Sequence, residues 1–197
     1  MRYPVLQRAG AFLLSACLIP ARLPAQSAEQ LRASFQAHRS EFDYLLGDWQ
    51  YTAQSREWGP YHGAWSAVRL SEGQILDEFR VLGDSGETLY VTTTLRAFNA
   101  RLDRWELVGM DSGNGLQDGG TGRKVGDEIH IEQRFGVGGP QPSVWRIRYY
   151  DIRPDGFHWT ADRSTDGGVT WEREHLRIEA RRVGPPRTLG PIARARP

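Results

Sequence analysis

Two polar residues stand in faces that are otherwise apolar, and any chemistry would start there. Asp77 alternates with Ile75, Phe79 and Val81, and Gln133 sits in the same way between Ile131 and Phe135. A carboxylate and a carboxamide held among apolar side chains can orient a ligand by hydrogen bonding, or the carboxylate can take a proton as a general base. The bland alternative is a barrel mouth or bent strand that lets both reach water. Asp77 and Glu78 adjoin on a strand, so they point to opposite faces and cannot act as a carboxylate pair. The histidines, His38, His62, His130, His158 and His175, show no metal-ligand spacing. His130 and His158 are the candidates for an axial haem ligand, but both fall on faces rich in charge. The reading yields no catalytic residue, no metal ligand and no cofactor.

Three further stretches imitate functional motifs. Ser164-Thr165-Asp166-Gly167-Gly168-Val169-Thr170-Trp171 matches the Asp-box pattern of sialidase-like propellers, in which the aspartate and glycines shape a hairpin turn over the tryptophan. A propeller needs several copies and this chain has one, so the stretch reads as a turn. Gly119-Gly120-Thr121-Gly122 and Gly136-Val137-Gly138-Gly139 could cradle phosphate only between a strand and a helix. Neither opens a helix, and both read as hairpin loops, the second stiffened by Pro140 and Pro142.

The elements that must position these residues change period once. Residues 27–46 fit an amphipathic helix: Leu31, Phe35, Phe42, Leu45 and Leu46 share a face, Ser27 and Gln30 form a capping box, and Gly47 ends it. That helix should plug the strands beyond it or pack against them. After Gly47 the period is 2, in aromatic and β-branched runs near 49–54, 64–70, 74–82, 88–98, 104–110, 116–125, 128–135, 144–152, 157–164 and 171–181. About ten strands with no second helix predict an all-β antiparallel meander, closed as a barrel so that no edge is exposed. Ile75, Asp77, Phe79 and Val81, then Ile129, Ile131, Gln133 and Phe135, then Trp145, Ile147 and Tyr149, then Phe157, Trp159 and Ala161 form the inward sets. The alternate sets, including Glu78, Arg80, His130, Glu132, Arg146, Arg148, His158 and Asp162, mix both signs and predict cross-strand ion pairs on an outer face. On this reading Asp77 and Gln133 are the convergent polar groups of an apolar pocket lined by Trp105, Trp145, Tyr149 and Trp159.

Residues 1–25 read as an export signal, with Arg2 and Arg8 ahead of an apolar run from Ala9 to Ile19 and small residues near Ala25. Leu14-Ser15-Ala16-Cys17 also resembles a bacterial lipobox, whose cysteine would be acylated; the apolar Leu18-Ile19 beyond it favours ordinary cleavage. Lipidation at Cys17 would be the one route to a membrane, and otherwise the chain is periplasmic or secreted. Cys17 is the only cysteine, so the domain at 27–182 has no disulfide and no thiolate. The whole chain carries 25 basic and 24 acidic residues; losing Arg2, Arg8 and Arg22 with no acid leaves 22 against 24, a net −2. Nucleic acid is excluded as a partner, since it would want a clustered basic excess. The tail at 183–197, with Pro185, Pro186, Pro191 and Pro197 among arginines, is expected to be disordered.

A helix running into Gly47-Asp48-Trp49, a succession of antiparallel strands and a closing Glu179-Ala180-Arg181-Arg182 together resemble the calycin group of β-barrels. More narrowly, Leu45-Leu46-Gly47-Asp48-Trp49, the hairpin from Phe98 to Trp105 and the closing strand resemble the DUF1579 family of lipocalin-like proteins, which has no established activity. The resemblance implies that Gly47 and Trp49 shape the closed end of the barrel and that Arg177 or Arg181 lies across the tryptophan. The function expected is the binding of a small apolar or amphipathic molecule in an aromatic-lined interior. The alternatives are a hydrolase or isomerase at the barrel mouth with Asp77 as base and a histidine nearby, and a solid-cored interaction protein working through Arg146, Arg148 and Tyr150.

Overall fold

Strict alternation over ten runs gives a sheet wide enough to meet its own first strand. The computed structural model describes residues 26–190; the export segment 1–25 with Cys17, and the tail residues 191–197, lie outside the described residues. Helix α1 (Ala28–His38) is followed by a single 3-10 turn (Asp43–Leu45) and by β1 (Gly47–Ser55), β2 (Gly59–Arg69), β3 (Ile75–Leu82), β4 (Thr88–Asn99) and β5 (Arg104–Asp111). The chain continues through β6 (Gly115–Val125), β7 (Glu128–Phe135), β8 (Ser143–Arg153), β9 (Gly156–Ser164), β10 (Glu172–Gly184) and the two-residue β11 (Arg187–Thr188). Strands β1 to β10 pair antiparallel with their sequence neighbours, and β1 also pairs with β10, closing a ten-stranded, lipocalin-like barrel. The expected all-β meander with one N-terminal helix is therefore the fold.

Alternate turns gather at opposite ends. The β2–β3, β4–β5, β6–β7 and β8–β9 turns lie at one end with the 3-10 turn and α1, and that end is plugged. The other five turns surround the mouth. Of the two roles expected of the helix it takes the second, packing against the strands, and the plug is the bend after it. Helix α1 stops at His38, buries none of its residues, and leans on the barrel through Phe35 against Gly73 and His38 stacked 4.7 Å from Phe98. Its capping box is in place, with Ser27 Oγ accepting from the Gln30 amide and Gln30 Oε1 accepting from Ser27 N–H. Beyond His38 the chain turns and enters the 3-10 segment, which carries Phe42 and Leu45 into the barrel, where both are fully buried.

Trp49 and Trp105 complete the plug. Trp49 is fully buried, donates from Nε1 to the Leu45 carbonyl at 2.7 Å and meets Phe157 edge to face at 4.8 Å. Gly47 has φ +109, and a Cβ there would stand 2.6 Å from the Gly184 carbonyl oxygen, so only glycine lets β1 leave the plug beside β10. The tail is ordered further than expected. Strand β10 runs to Gly184, and Arg187 and Thr188 pair in parallel with Val68 and Arg69 of β2, with Leu189 N–H donating to Arg69 O at 2.7 Å. The reason is register: β1 reaches only as far as Ala67 on β2, so Val68 and Arg69 would otherwise leave backbone groups unpaired.

Gly119-Gly120-Thr121-Gly122 lies within β6 and is not a loop. Close packing explains the glycines: a Cβ on Gly120 would stand 2.6 Å from the Glu132 carbonyl oxygen, and one on Gly122 would stand 2.8 Å from Ile131 Cγ1. The Ser164–Trp171 stretch is a turn, knitted by Asp166 accepting from the Val169 and Thr170 amides and by Trp171 Nε1 donating to Gly168 O. On the outer face Glu128 takes Arg148 at 2.6 Å, Glu132 takes Arg146 at 3.7 Å and Asp162 takes Arg173 at 2.6 Å. His130 and His158 stand on that face too, against Glu128 and Asp151.

Candidate functional site

The barrel is hollow. Above the plug a cavity of about 670 Å³ opens toward the mouth, walled chiefly by Trp65, Phe79, Phe135, Trp145, Tyr149 and Trp159. Five of the six residues expected at a pocket line it: Asp77, Gln133, Trp145, Tyr149 and Trp159. Trp105 does not. It is fully buried in the plug, 4.9 Å from Phe42 and 5.7 Å from Phe98, with Nε1 donating to Glu41 Oε2 at 2.9 Å. Its strand face is the inward one, but its height on β5, one residue from the closed-end turn, puts it below the cavity floor.

Asp77 does not reach water at a mouth or a bend. Its side chain is 1% exposed and both oxygens are engaged: Oδ1 accepts from Trp65 Nε1 at 2.8 Å and Oδ2 from Arg96 Nε at 2.7 Å. Burial, the largest influence, would lower the Arg96 pKa, but the charge and hydrogen bond of Asp77 together with Tyr149 and Tyr44 outweigh it and hold the guanidinium above its usual value. Arg96 also stands 5.2 Å over the Phe42 ring, which draws its charge toward the plug. Tyr149 lies near this pair, and burial pushes its phenol up to about 12, so it is neutral at any physiological pH. Burial likewise raises Tyr44, at the top of the plug, well above the ordinary range.

Gln133 is the second polar group, and it too has a partner that the sequence did not announce. Its Nε2 donates to Asp118 Oδ1, and both residues are buried. Burial raises the Asp118 pKa, opposed by the Gln133 hydrogen bond and by Arg96. The Asp118 carboxylate leans over Gly109, where a Cβ would overlap its oxygens. Thr94 adds a hydroxyl to the same wall.

Chemically, the cavity offers aromatic surface, two buried carboxylates, one guanidinium and the amides of Gln117 and Gln133. It brings no histidine to Asp77, whose oxygens are already committed, so the base-and-histidine arrangement of the enzyme reading is not assembled. Among the described residues no three acidic, histidine or cysteine side chains are grouped to hold a metal ion.

At the closed end the arginine over Trp49 is Arg182, at 4.1 Å from the ring, and neither Arg177 nor Arg181. Its guanidinium donates to the carbonyls of Tyr44, Leu46 and Pro154, tying the plug to β1 and to the β8–β9 turn. Arg177 and Arg181 point outward; Arg177 meets Glu174 at 3.4 Å. The signal was available, since Ile178 and Ala180 face inward and alternation carries that face to residue 182.

No family model matches the chain, and no curated protein matches it. Among solved structures, the crystal structure of Rv2717c from M. tuberculosis superposes with a TM-score of 0.52 at 17% identity, covering 76% of this chain and 97% of that one. At that identity the likeness is one of fold, and the fold is a barrel.

Proposed function

We propose that the protein is an exported binder of a small apolar or amphipathic molecule, held inside the barrel with its apolar body against the aromatic wall. The observation that carries the reading is the 670 Å³ cavity itself, because a barrel of this size filled by its own side chains would have no such space. Each methylene of a ligand taken from water into it contributes about 0.8 kcal/mol, so a ten-carbon chain contributes about 8 kcal/mol against the entropy cost of association. Asp77, Gln133, Trp145, Tyr149 and Trp159 are the proposed contacts, joined by Trp65, Arg96 and Asp118. The Leu45-to-Trp49 motif supports placing the chain with the DUF1579 family, and the pattern of residues 1–25 supports export.

Native mass spectrometry of protein purified from its own host, followed by organic extraction, tests the reading. A defined small molecule near unit stoichiometry, lost in a folded Trp145→Ala or Trp159→Ala variant, is the expected result. Protein that is empty and takes up no amphiphile offered to it refutes binding. The intact mass also tests export: a chain beginning near residue 26, or at an acylated Cys17, is expected, and one retaining Met1 in the exported fraction overturns it.

A further inference from the structure

Three charged side chains line the cavity, and their charges do not cancel. Asp77 and Arg96 neutralise each other at 2.7 Å, and the guanidinium is turned toward Phe42 in the plug. Asp118 is left over. It is 2% exposed, and among the described residues no arginine, lysine or histidine forms an ion pair with it. Its one side-chain donor is the Gln133 amide. A carboxylate buried without a cation is costly, and here the chain makes room for it, since Gly109 lacks the Cβ that would displace it. The surrounding surface suits a cation equally well: Phe135 and Trp145 stand 4.9 Å apart across from Asp118 on the neighbouring strands, and their π faces attract ammonium groups.

We propose that the ligand is a cationic amphiphile, an apolar body in the aromatic cavity bearing a protonated amine that pairs with the Asp118 carboxylate. This assignment rests on the binding reading above and narrows it. An anionic amphiphile would meet an arginine already neutralised and a second carboxylate of its own sign.

Isothermal titration calorimetry at pH 7.5 with decylamine, 1-decanol and decanoate, each below its aggregation concentration, tests the assignment with chain length held constant. Decylammonium is expected to bind at least tenfold more tightly than decanol, and decanoate more weakly than either. Asp118→Asn should bring the amine-to-alcohol ratio toward one, and Gly109→Ala, which displaces the carboxylate without removing it, should lower the same ratio. The wild-type comparison decides the matter even if a variant does not fold. Equal binding of all three, or a preference for decanoate, overturns the cationic class while leaving the cavity a binding site. Binding of none overturns the reading beneath it.

Discussion

Replacing Arg96 with methionine removes the charge of the buried pair and little of its volume. The contact is 2.7 Å long, and the two side chains are 4% and 1% exposed. At an effective dielectric of about 20 the attraction is about 6 kcal/mol, and breaking a buried pair from one side typically costs about 3–5 kcal/mol because the orphaned charge stays behind. Out of a total stability of about 5–15 kcal/mol that is a large loss. With an m-value of about 2 kcal/mol/M, the urea midpoint of Arg96→Met should fall by about 2 M. Asp77→Asn keeps an acceptor for Trp65 Nε1 but leaves Arg96 alone, and it should cost a similar amount. The double variant Asp77→Asn, Arg96→Met should then be more stable than the two losses added together, with a coupling energy of at least about 2 kcal/mol. Midpoints that shift by less than about 0.3 M, or a cycle that is additive, would refute the claim that the pair is buried and mutually dependent.

Other perturbations test other links. The folded-state pKa of Asp118 lies above the unfolded value of about 3.9, so its stability contribution is present below that pH and lost as pH rises through the raised value. Asp118→Asn should flatten that slope and be at least as stable as the wild type at pH 7; Arg96, Asp77 and Tyr90, the charged and titratable neighbours, are unchanged in it. A loss above about 1 kcal/mol at pH 7 by chemical denaturation would contradict it. Arg182→Ala should cost about 2–3 kcal/mol through the lost cation–π contact and three carbonyl bonds, whereas Arg177→Ala and Arg181→Ala should stay within about 0.5 kcal/mol; thermal unfolding that ranks the three equally sinks the assignment. Glu128, held by Arg148 and His130, should titrate near pH 2 by carboxyl-carbon NMR and return toward 4.5 in Arg148→Ala; an unchanged midpoint in that variant removes Arg148 as the cause.

Strand alternation made the barrel legible, because ten period-2 runs separated by turn residues have few other solutions. It also gave the faces of Asp77, Gln133, Trp145, Tyr149 and Trp159. Height within the barrel is another matter, and it misplaced Trp105: facing inward says nothing about whether a side chain stands in the cavity or in the plug beneath it. Arg96 ran against hydropathy, since its neighbour Leu95 is the more exposed of the two. A buried arginine is readable only once its partner is known. Asp118 was hidden for a different reason, since in the glycine-rich β6 there are too few side chains to show a pattern. The helix was drawn too long because Phe42, Leu45 and Leu46 satisfy helical spacing and also suit a bend that inserts them one after another.

The position of β11 has a consequence for how the molecule can be attached to anything. Helix α1 packs near Phe98 and the Gly73 turn, and Arg187 and Thr188 pair at the end of β2, so both ends of the described chain depart from the plugged end. The mouth carries neither of them. A tag or domain fused at either end of the described chain would therefore be joined at the end opposite the mouth, leaving the opening clear of the junction.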